Sequence, residues 1–247
     1  MAICCIQYFL PLFLLGLTSY SDALVCKKGV MVIFGSGFAK TAVNWTAPET
    51  KIAAPGESCH ETLLLIDIGP KSLLVGSKGS GIDIDEDTRS ETVDNYNYGG
   101  GDVYPDNGTT LMYADGPGIL AALYHENCFT DLCNKDEDTE ILVKNLHVVA
   151  SYQSKSLKCP VCLQYQGSCP TNFVFCPKNT GCYAGDIAVK GGGINANFSI
   201  KGCLDVTTEN IFKRDDALGI FTMLEHVTSM TANSFSHLFV PVTSLAW

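Results

Sequence analysis

Apolar residues come in short runs along this chain, and most of the runs read as strands. Thr62-Leu63-Leu64-Leu65-Ile66 is a continuous apolar stretch of buried-strand length. Gly69-Pro70 predicts a turn after it, and Ser72-Leu73-Leu74-Val75 predicts the returning strand. Further along, Tyr183 to Val189 and Ala196 to Ile200 flank Lys190-Gly191-Gly192-Gly193, which reads as a long hairpin with a glycine-rich, flexible tip. The span from Gly76 to Gly118 is rich in Gly, Asp and Asn and poor in apolar residues, so it is expected to form a long loop or finger. Only Ala217 to Thr228 has helical spacing, with Ala217, Ile220, Phe221, Leu224 and Val227 on one stripe after Asp215-Asp216.

Composition narrows the function. The 247 residues carry 16 basic and 26 acidic side chains, a net charge of −10. Nucleic-acid affinity comes largely from Lys and Arg, so a phosphate-backbone partner is not expected. The basic stripe of a membrane-surface binder is also absent. The N-terminus sets the compartment. Ile3 to Leu17 is almost wholly apolar, and Ser21-Asp22-Ala23 offers small residues at a cleavage site, so residues 1–23 read as a secretory signal peptide. Cys4 and Cys5 leave with it. Ten of the 12 cysteines remain, an even number that predicts five disulfides in an extracellular chain. Asn44-Trp45-Thr46, Asn107-Gly108-Thr109 and Asn197-Phe198-Ser199 are glycosylation sequons, which place Asn44, Asn107 and Asn197 on the surface where they are used.

The ten cysteines fall into two blocks. Cys26, Cys59, Cys128 and Cys133 are widely spaced, whereas Cys159, Cys162, Cys169, Cys176, Cys182 and Cys203 crowd together. The cysteine-free stretch between them, opening on Lys135-Asp136-Glu137-Asp138, is the natural linker, with a boundary near Ser151. Each block has an even count, and many pairings within the blocks satisfy it. Disulfides are expected to stand in for a large core in each unit.

Several chemical motifs are decoys. Cys159-Pro160-Val161-Cys162 has redox-pair spacing, yet Pro160 and four nearby cysteines point to a structural framework. No His lies between Cys159 and Cys203 to complete a zinc site. Asp83-Ile84-Asp85-Glu86-Asp87 opens like a calcium loop but puts Thr88 and Asp94 where Gly and Glu are needed. Gly35 to Thr41 lacks the Gly before Lys40 that a phosphate loop requires. His60, His125, His147, His226 and His237 sit in unrelated contexts, without a nucleophile elbow or a His-Glu-x-x-His motif. The chain reads as a non-enzyme without cofactor or metal.

The second block carries a more specific pattern. Leu157-Lys158-Cys159-Pro160-Val161-Cys162, Cys169, Cys176, Gly181-Cys182-Tyr183 and Lys201-Gly202-Cys203 resemble the Ly-6/urokinase-receptor three-finger family. The first block repeats the outline from Leu24-Val25-Cys26 to Cys128-Phe129-Thr130-Asp131-Leu132-Cys133-Asn134, which is similar to that family's closing Cys-Asn signature. The resemblance covers roughly residues 24 to 203 and implies an all-β, disulfide-rich chain of two tandem three-finger, snake-toxin-like domains. The implied limits are 24–135 and 157–230, joined by a linker at 136–156 and followed by a tail at 231–247. It also implies the pairs Cys26–Cys59, Cys128–Cys133, Cys159–Cys182, Cys162–Cys169 and Cys176–Cys203, with Asn134 satisfying backbone groups where the first domain closes.

Two departures stand out. Where the family has a further first-domain pair, this chain carries Ala53 and Ser80, and no cysteine follows Cys203 to close the second domain. Each missing bridge removes about 2–4 kcal/mol, so both domains are expected to be looser than their relatives. Family members of this type are two-domain, sperm-surface glycoproteins held by a GPI anchor. The resemblance therefore implies protein partners at the cell surface and a role in male germ cells, in surface-protein maturation and fertilisation. The membrane would be touched only through that anchor. Ala232-Asn233-Ser234 supply small residues for attachment, but the tail from Leu238 to Trp247 is short and broken by Pro241, Thr243 and Ser244. A secreted ligand or inhibitor of a receptor or protease is the alternative. Gly76 to Gly118 and Lys190 to Asn195 are the expected contact surfaces.

Overall fold

The computed structural model describes residues 23–82, 108–115, 118–146, 154–166, 169–170, 172–212, 216–218 and 220–231. The signal-peptide reading, Asn107, the acidic run from Asp83 and the tail from Ala232 lie outside the described residues. The first half contributes strands β1 (Val25–Gly35), β2 (Glu49–Ile52), β3 (Glu57–Asp67), β4 (Ser72–Ile82), β5 (Thr109–Asp115) and β6 (Leu120–Cys128). A five-residue helix, α1 (Glu140–Lys144), follows. The second half contributes β7 (Ser154–Tyr165), β8 (Asn172–Pro177), β9 (Thr180–Gly191), β10 (Ile194–Asp205), β11 (Asp216–Leu218) and β12 (Phe221–Thr231). Among the described residues these form two six-stranded antiparallel sheets, ordered β2-β1-β4-β3-β6-β5 and β11-β12-β9-β10-β7-β8.

The unbroken apolar run of β3 has a simple cause: both of its faces are covered. Leu64 and Ile66, with Leu73, Val75, Ala121 and Leu123, face the second sheet. Leu63 and Leu65, with Met31, Leu74, Leu120, Ala122 and Tyr124, face a layer made by Ala39, Trp45 and Leu142. Among the described residues the second sheet is covered on one face only, so its strands alternate. Ile194, Ala196, Phe198 and Ile200 of β10 point inward, while Asn195 and Asn197 are exposed.

The two sheets do not keep separate cores. Val161, Leu163, Tyr183, Ile187, Val189, Phe198 and Ile200 of the second pack with the inner face of the first in one cluster. The Ile119 N–H donates to the Cys203 carbonyl at 2.6 Å, and the Ser77 hydroxyl donates to the Gly192 carbonyl at 3.0 Å. Gly118 and Gly192 sit at these crossings with φ of +107° and +54°. A Cβ on Gly118 would collide with Cys203 and one on Gly192 with Ser77 and Ile220, so the close approach requires glycine. Apolar burial between the halves therefore supplements the disulfides.

Three expectations need correction. Ala217 to Thr228 is not a helix but the strands β11 and β12, because burial alternates there: Phe221, Met223 and Glu225 are buried, and Thr222, Leu224 and His226 are exposed. Gly76 to Ile82 is no loop; it belongs to β4, paired with β3 throughout and with β1 as far as Lys78. The tip at Lys190 to Asn195 is docked rather than free, with Gly192 against Ser77 and Gly193 beside Val30. In addition, residues 136–146 of the expected linker pack on the first sheet. The Trp45 N–H donates to the Glu137 carbonyl at 2.8 Å, the Val43 N–H donates to the Thr139 hydroxyl at 2.9 Å, and Leu142 is fully buried.

Candidate functional site

The cysteines organise one end of each sheet. The structure joins Cys26 to Cys59, Cys128 to Cys133, Cys159 to Cys182, Cys162 to Cys169 and Cys176 to Cys203. These are the partners that the family resemblance pairs. Cys159, Cys176 and Cys203 bring three sulfurs within 4.8 Å of one another, but all belong to neighbouring disulfides and so offer no thiolate to a metal. Cys159 and Cys162 have different partners, which leaves no dithiol pair for redox exchange.

Asn134 closes the first unit. It is buried, and its amide donates to the carbonyls of Lys27 at 2.9 Å, His60 at 3.0 Å and Gly79 at 3.4 Å. Its carbonyl accepts the Lys27 N–H at 2.9 Å. One side chain thus ties β1, β3 and β4 to the chain leaving Cys133. Asn134→Ala is expected to cost about 2–4 kcal/mol, since it strands several buried backbone groups at once; chemical unfolding of the oxidised chain measures it. A loss below about 1 kcal/mol would show that water or neighbouring groups replace the amide.

The missing first-domain bridge has a polar substitute. Ala53 is buried beside Cys26 and Cys59. The Ser80 hydroxyl donates to the Glu57 carboxylate, which also accepts the Ala54 N–H at 3.0 Å and lies 3.4 Å from the Lys51 ammonium. The carboxylate therefore links the loop after β2 to β4. The Ser80 and Ala54 hydrogen bonds hold the Glu57 carboxyl down at about 2.

Titratable groups elsewhere are enclosed rather than presented. Lys78 and Glu61 pair at 3.1 Å with side chains 1% exposed, and the Lys78 ammonium lies 4.8 Å from the Trp45 ring centre and donates to the Asp136 carbonyl. Burial pushes Glu61 up to about 8 and His60 down to about 4. Thr62 Oγ1 lies 2.8 Å from His125 Nδ1, a contact resembling a nucleophile–base pair, but Thr62 is fully buried and His125 is 7% exposed. Glu225 is buried under the second sheet, accepting from the Tyr183 hydroxyl and from the Ile211 N–H at 3.0 Å and the Phe212 N–H. Each of these groups is spent on holding the fold.

A cleft of about 360 Å³ lies between Met112, Tyr113, Ile119 and the turn at Leu204, Asp205 and Thr207. Thr207 hydrogen bonds hold the Asp205 carboxyl below its usual range. Among the described residues, the cleft's lining includes no cysteine, histidine or lysine to pair with it. Lys40 and Thr41, in the segment reminiscent of a phosphate loop, turn their N–H groups onto the Gly37 carbonyl at 2.9 and 3.0 Å.

What the molecule does present is surface. Asn44 and Asn197 are exposed, Asn197 in the middle of the outer face of the second sheet. Exposed apolar side chains gather on strands: Val30, Val32 and Phe34 on β1, and Phe173 and Phe175 on β8. Sequence reading missed these; the alternating Phe173-Val174-Phe175 run was the available signal. Among the described residues, no helix is long and apolar enough to cross a membrane.

Comparison with known proteins finds a family domain in the second half and relatives along most of the chain. The u-PAR/Ly-6 domain matches residues 155–230. The CD177 antigen of Mus musculus is 35% identical over 209 residues, which cover 84% of this chain but only 23% of that protein. Testis-expressed protein 101 of Homo sapiens is 26% identical over 201 residues, 80% of this chain and 72% of that one. Ly6/PLAUR domain-containing protein 4 of Bos taurus is 26% identical over 96% of this chain and 91% of its own. The crystal structure of mouse TEX101 superposes with a TM-score of 0.64 at 24% identity, over 84% of this chain and 98% of that one, which shows a shared fold. A u-PAR/Ly-6 domain thus occupies the second half, and the chain as a whole is similar to these relatives across both halves.

Proposed function

We propose that the chain is a cell-surface glycoprotein that works by protein–protein recognition in male germ cells, assisting the maturation of sperm-surface proteins and fertilisation. Its functional units in this reading are a signal peptide at 1–23 and three-finger domains at 24–135 and 157–230, joined through 136–156. Asn44, Asn107 and Asn197 carry glycans, and the tail from 231 directs a GPI anchor. The observation that supports it best is the likeness to testis-expressed protein 101, which runs through most of both chains. The enclosure of every described buried titratable group leaves surface contact as the available business of the fold.

A secreted ligand or inhibitor of a receptor or protease is the second reading, favoured by Pro241, Thr243 and Ser244, which interrupt the apolar run from Leu238. Staining of intact cells expressing the full chain, before and after phosphatidylinositol-specific phospholipase C, separates the two. Surface signal released by the enzyme is the expected result, and protein found only in the medium transfers the case to the secreted form. The same cells test recognition itself. Surface cross-linking should capture neighbours above the level of an unrelated anchored glycoprotein.

A further inference from the structure

The second sheet ends in a strand that has an unused edge. β8 is last in the order and pairs only with β7 among the described residues, so one row of its N–H and C=O groups has no strand beside it. Open edges of this kind are templates for strand addition, and proteins usually blunt them with charge, proline or twist. Here Pro177 closes one end, yet Phe173 and Phe175 remain 45% and 63% exposed. Two residues apart, they stand on one face of the strand. Their partners in register on β7 are Pro160 and Lys158. The Lys158 ammonium lies 5.7 Å from the Phe173 ring centre and 5.9 Å from that of Phe175, poised over both rings.

Charge selects the occupant. The chain as a whole is acidic, but residues 151–180 contain Lys155, Lys158 and Lys178 and no carboxylate. We propose that the open edge of β8, with Phe173, Phe175 and Lys158, receives an extended acidic segment of a partner protein as an added strand. Main-chain hydrogen bonds supply the pairing. On the ring-facing side of the segment an apolar residue lies on the rings, and a carboxylate two positions along meets Lys158. A second copy of the chain fits poorly, because β8 carries no carboxylate and pairing it with itself would draw two Lys158 ammoniums from β7 towards one seam. An anionic membrane would use the lysines and rings but leave the strand edge unpaired, and three lysines give little attraction against a chain of net charge −10. This inference rests on the recognition reading and adds to it a surface and a partner chemistry.

The test uses the secreted, oxidised full chain and a fluorescein-labelled peptide of Val-Ser-Glu-Ser repeats, whose valines and glutamates share one face of a strand, read by polarisation. Saturable binding is expected, weakened about tenfold or more by Phe175→Ser and by Lys158→Glu. Lys158→Glu should instead favour the peptide of Val-Ser-Lys-Ser repeats. N-methylation along the pairing edge of the glutamate peptide should abolish binding while leaving its side chains in place. Equal binding by wild type and variants overturns the assignment. So does binding to phosphatidylserine vesicles without peptide binding, or a wild-type dimer that Phe175→Ser dissolves. Surface cross-linking separates the two levels. Partners captured equally by wild type and Phe175→Ser sink this edge alone, whereas no capture above the control by wild type sinks recognition itself.

Discussion

Replacing Lys78 with alanine is expected to lower stability by about 3–5 kcal/mol, the range for breaking a buried ion pair from one side. Lys78 and Glu61 face each other from β4 and β3, both almost fully enclosed. The ammonium also holds the Asp136 carbonyl and sits against Trp45, so its loss loosens the segment at 136–139 from the sheet. Lys78→Met combined with Glu61→Leu should recover most of the loss, since neither charge then needs a partner. Guanidinium unfolding at pH 9, above the Glu61 value of about 8 so that both partners are ionised, measures both. A single variant within about 1 kcal/mol of wild type would mean that the pair contributes no net stability.

The same cluster sets a pH profile. Glu61 is raised from 4.5 to about 8, so the folded state keeps a proton that the unfolded chain has lost. Its contribution is full below 4.5 and declines as pH rises towards 8. His60 is lowered from 6.5 to about 4, so the unfolded chain takes the proton first, and stability declines as pH falls through that window. Glu57, lowered from 4.5 to about 2, adds a further acid-side decline. The two opposing slopes overlap between 4.5 and 6.5, where stability should be nearly level. Glu61→Gln should remove the fall above neutrality and leave the acid side intact; an unchanged alkaline fall would assign it to another group.

Phe198→Ala is expected to cost about 3–5 kcal/mol, as for other enclosed phenylalanines cut to alanine. Phe198 is fully buried, with ring centres of Phe34 and Tyr165 at 5.9 and 5.5 Å. Phe34 belongs to the first sheet and Phe198 to the second, so the truncation weakens both halves together. Trp45 fluorescence, read in a Trp247→Phe background, reports the first sheet, and far-ultraviolet circular dichroism reports the strands of both. The two signals should shift to a lower midpoint together and remain coincident. A variant whose Trp45 transition stays in place while the dichroism splits into two steps would show that the halves unfold separately.

Much of the first sheet was legible because burial on both faces writes an unmistakable run, Leu63 to Ile66, and because Gly69-Pro70 marks the turn. The β9–β10 hairpin was legible from its glycines. The rest depended on distant partners. β4 looked like loop from Gly76 onward because Gly76 leaves room for Trp45, and Lys78 is buried only by virtue of Glu61. β12 looked helical because Glu225 occupies an inward position, hiding the alternation; the groups that satisfy it come from Tyr183, Ile211 and Phe212. Cysteine spacing separated the chain into two units and carried no trace of the face they share. The exposed edge at Phe173 and Phe175 went unread because pattern alone does not distinguish a central strand from a terminal one.

That shared face has a consequence for how such a chain is inherited. The half that matches the family domain, cut loose at residue 155, would carry Tyr183, Ile187, Val189, Phe198 and Ile200 into water as a bare adhesive sheet. Each half is the other's lid, so the pair is transmitted as a unit. A transcript ending between them would yield a disulfide-competent but insoluble fragment, and neither half can be moved into another protein as a self-sufficient bead.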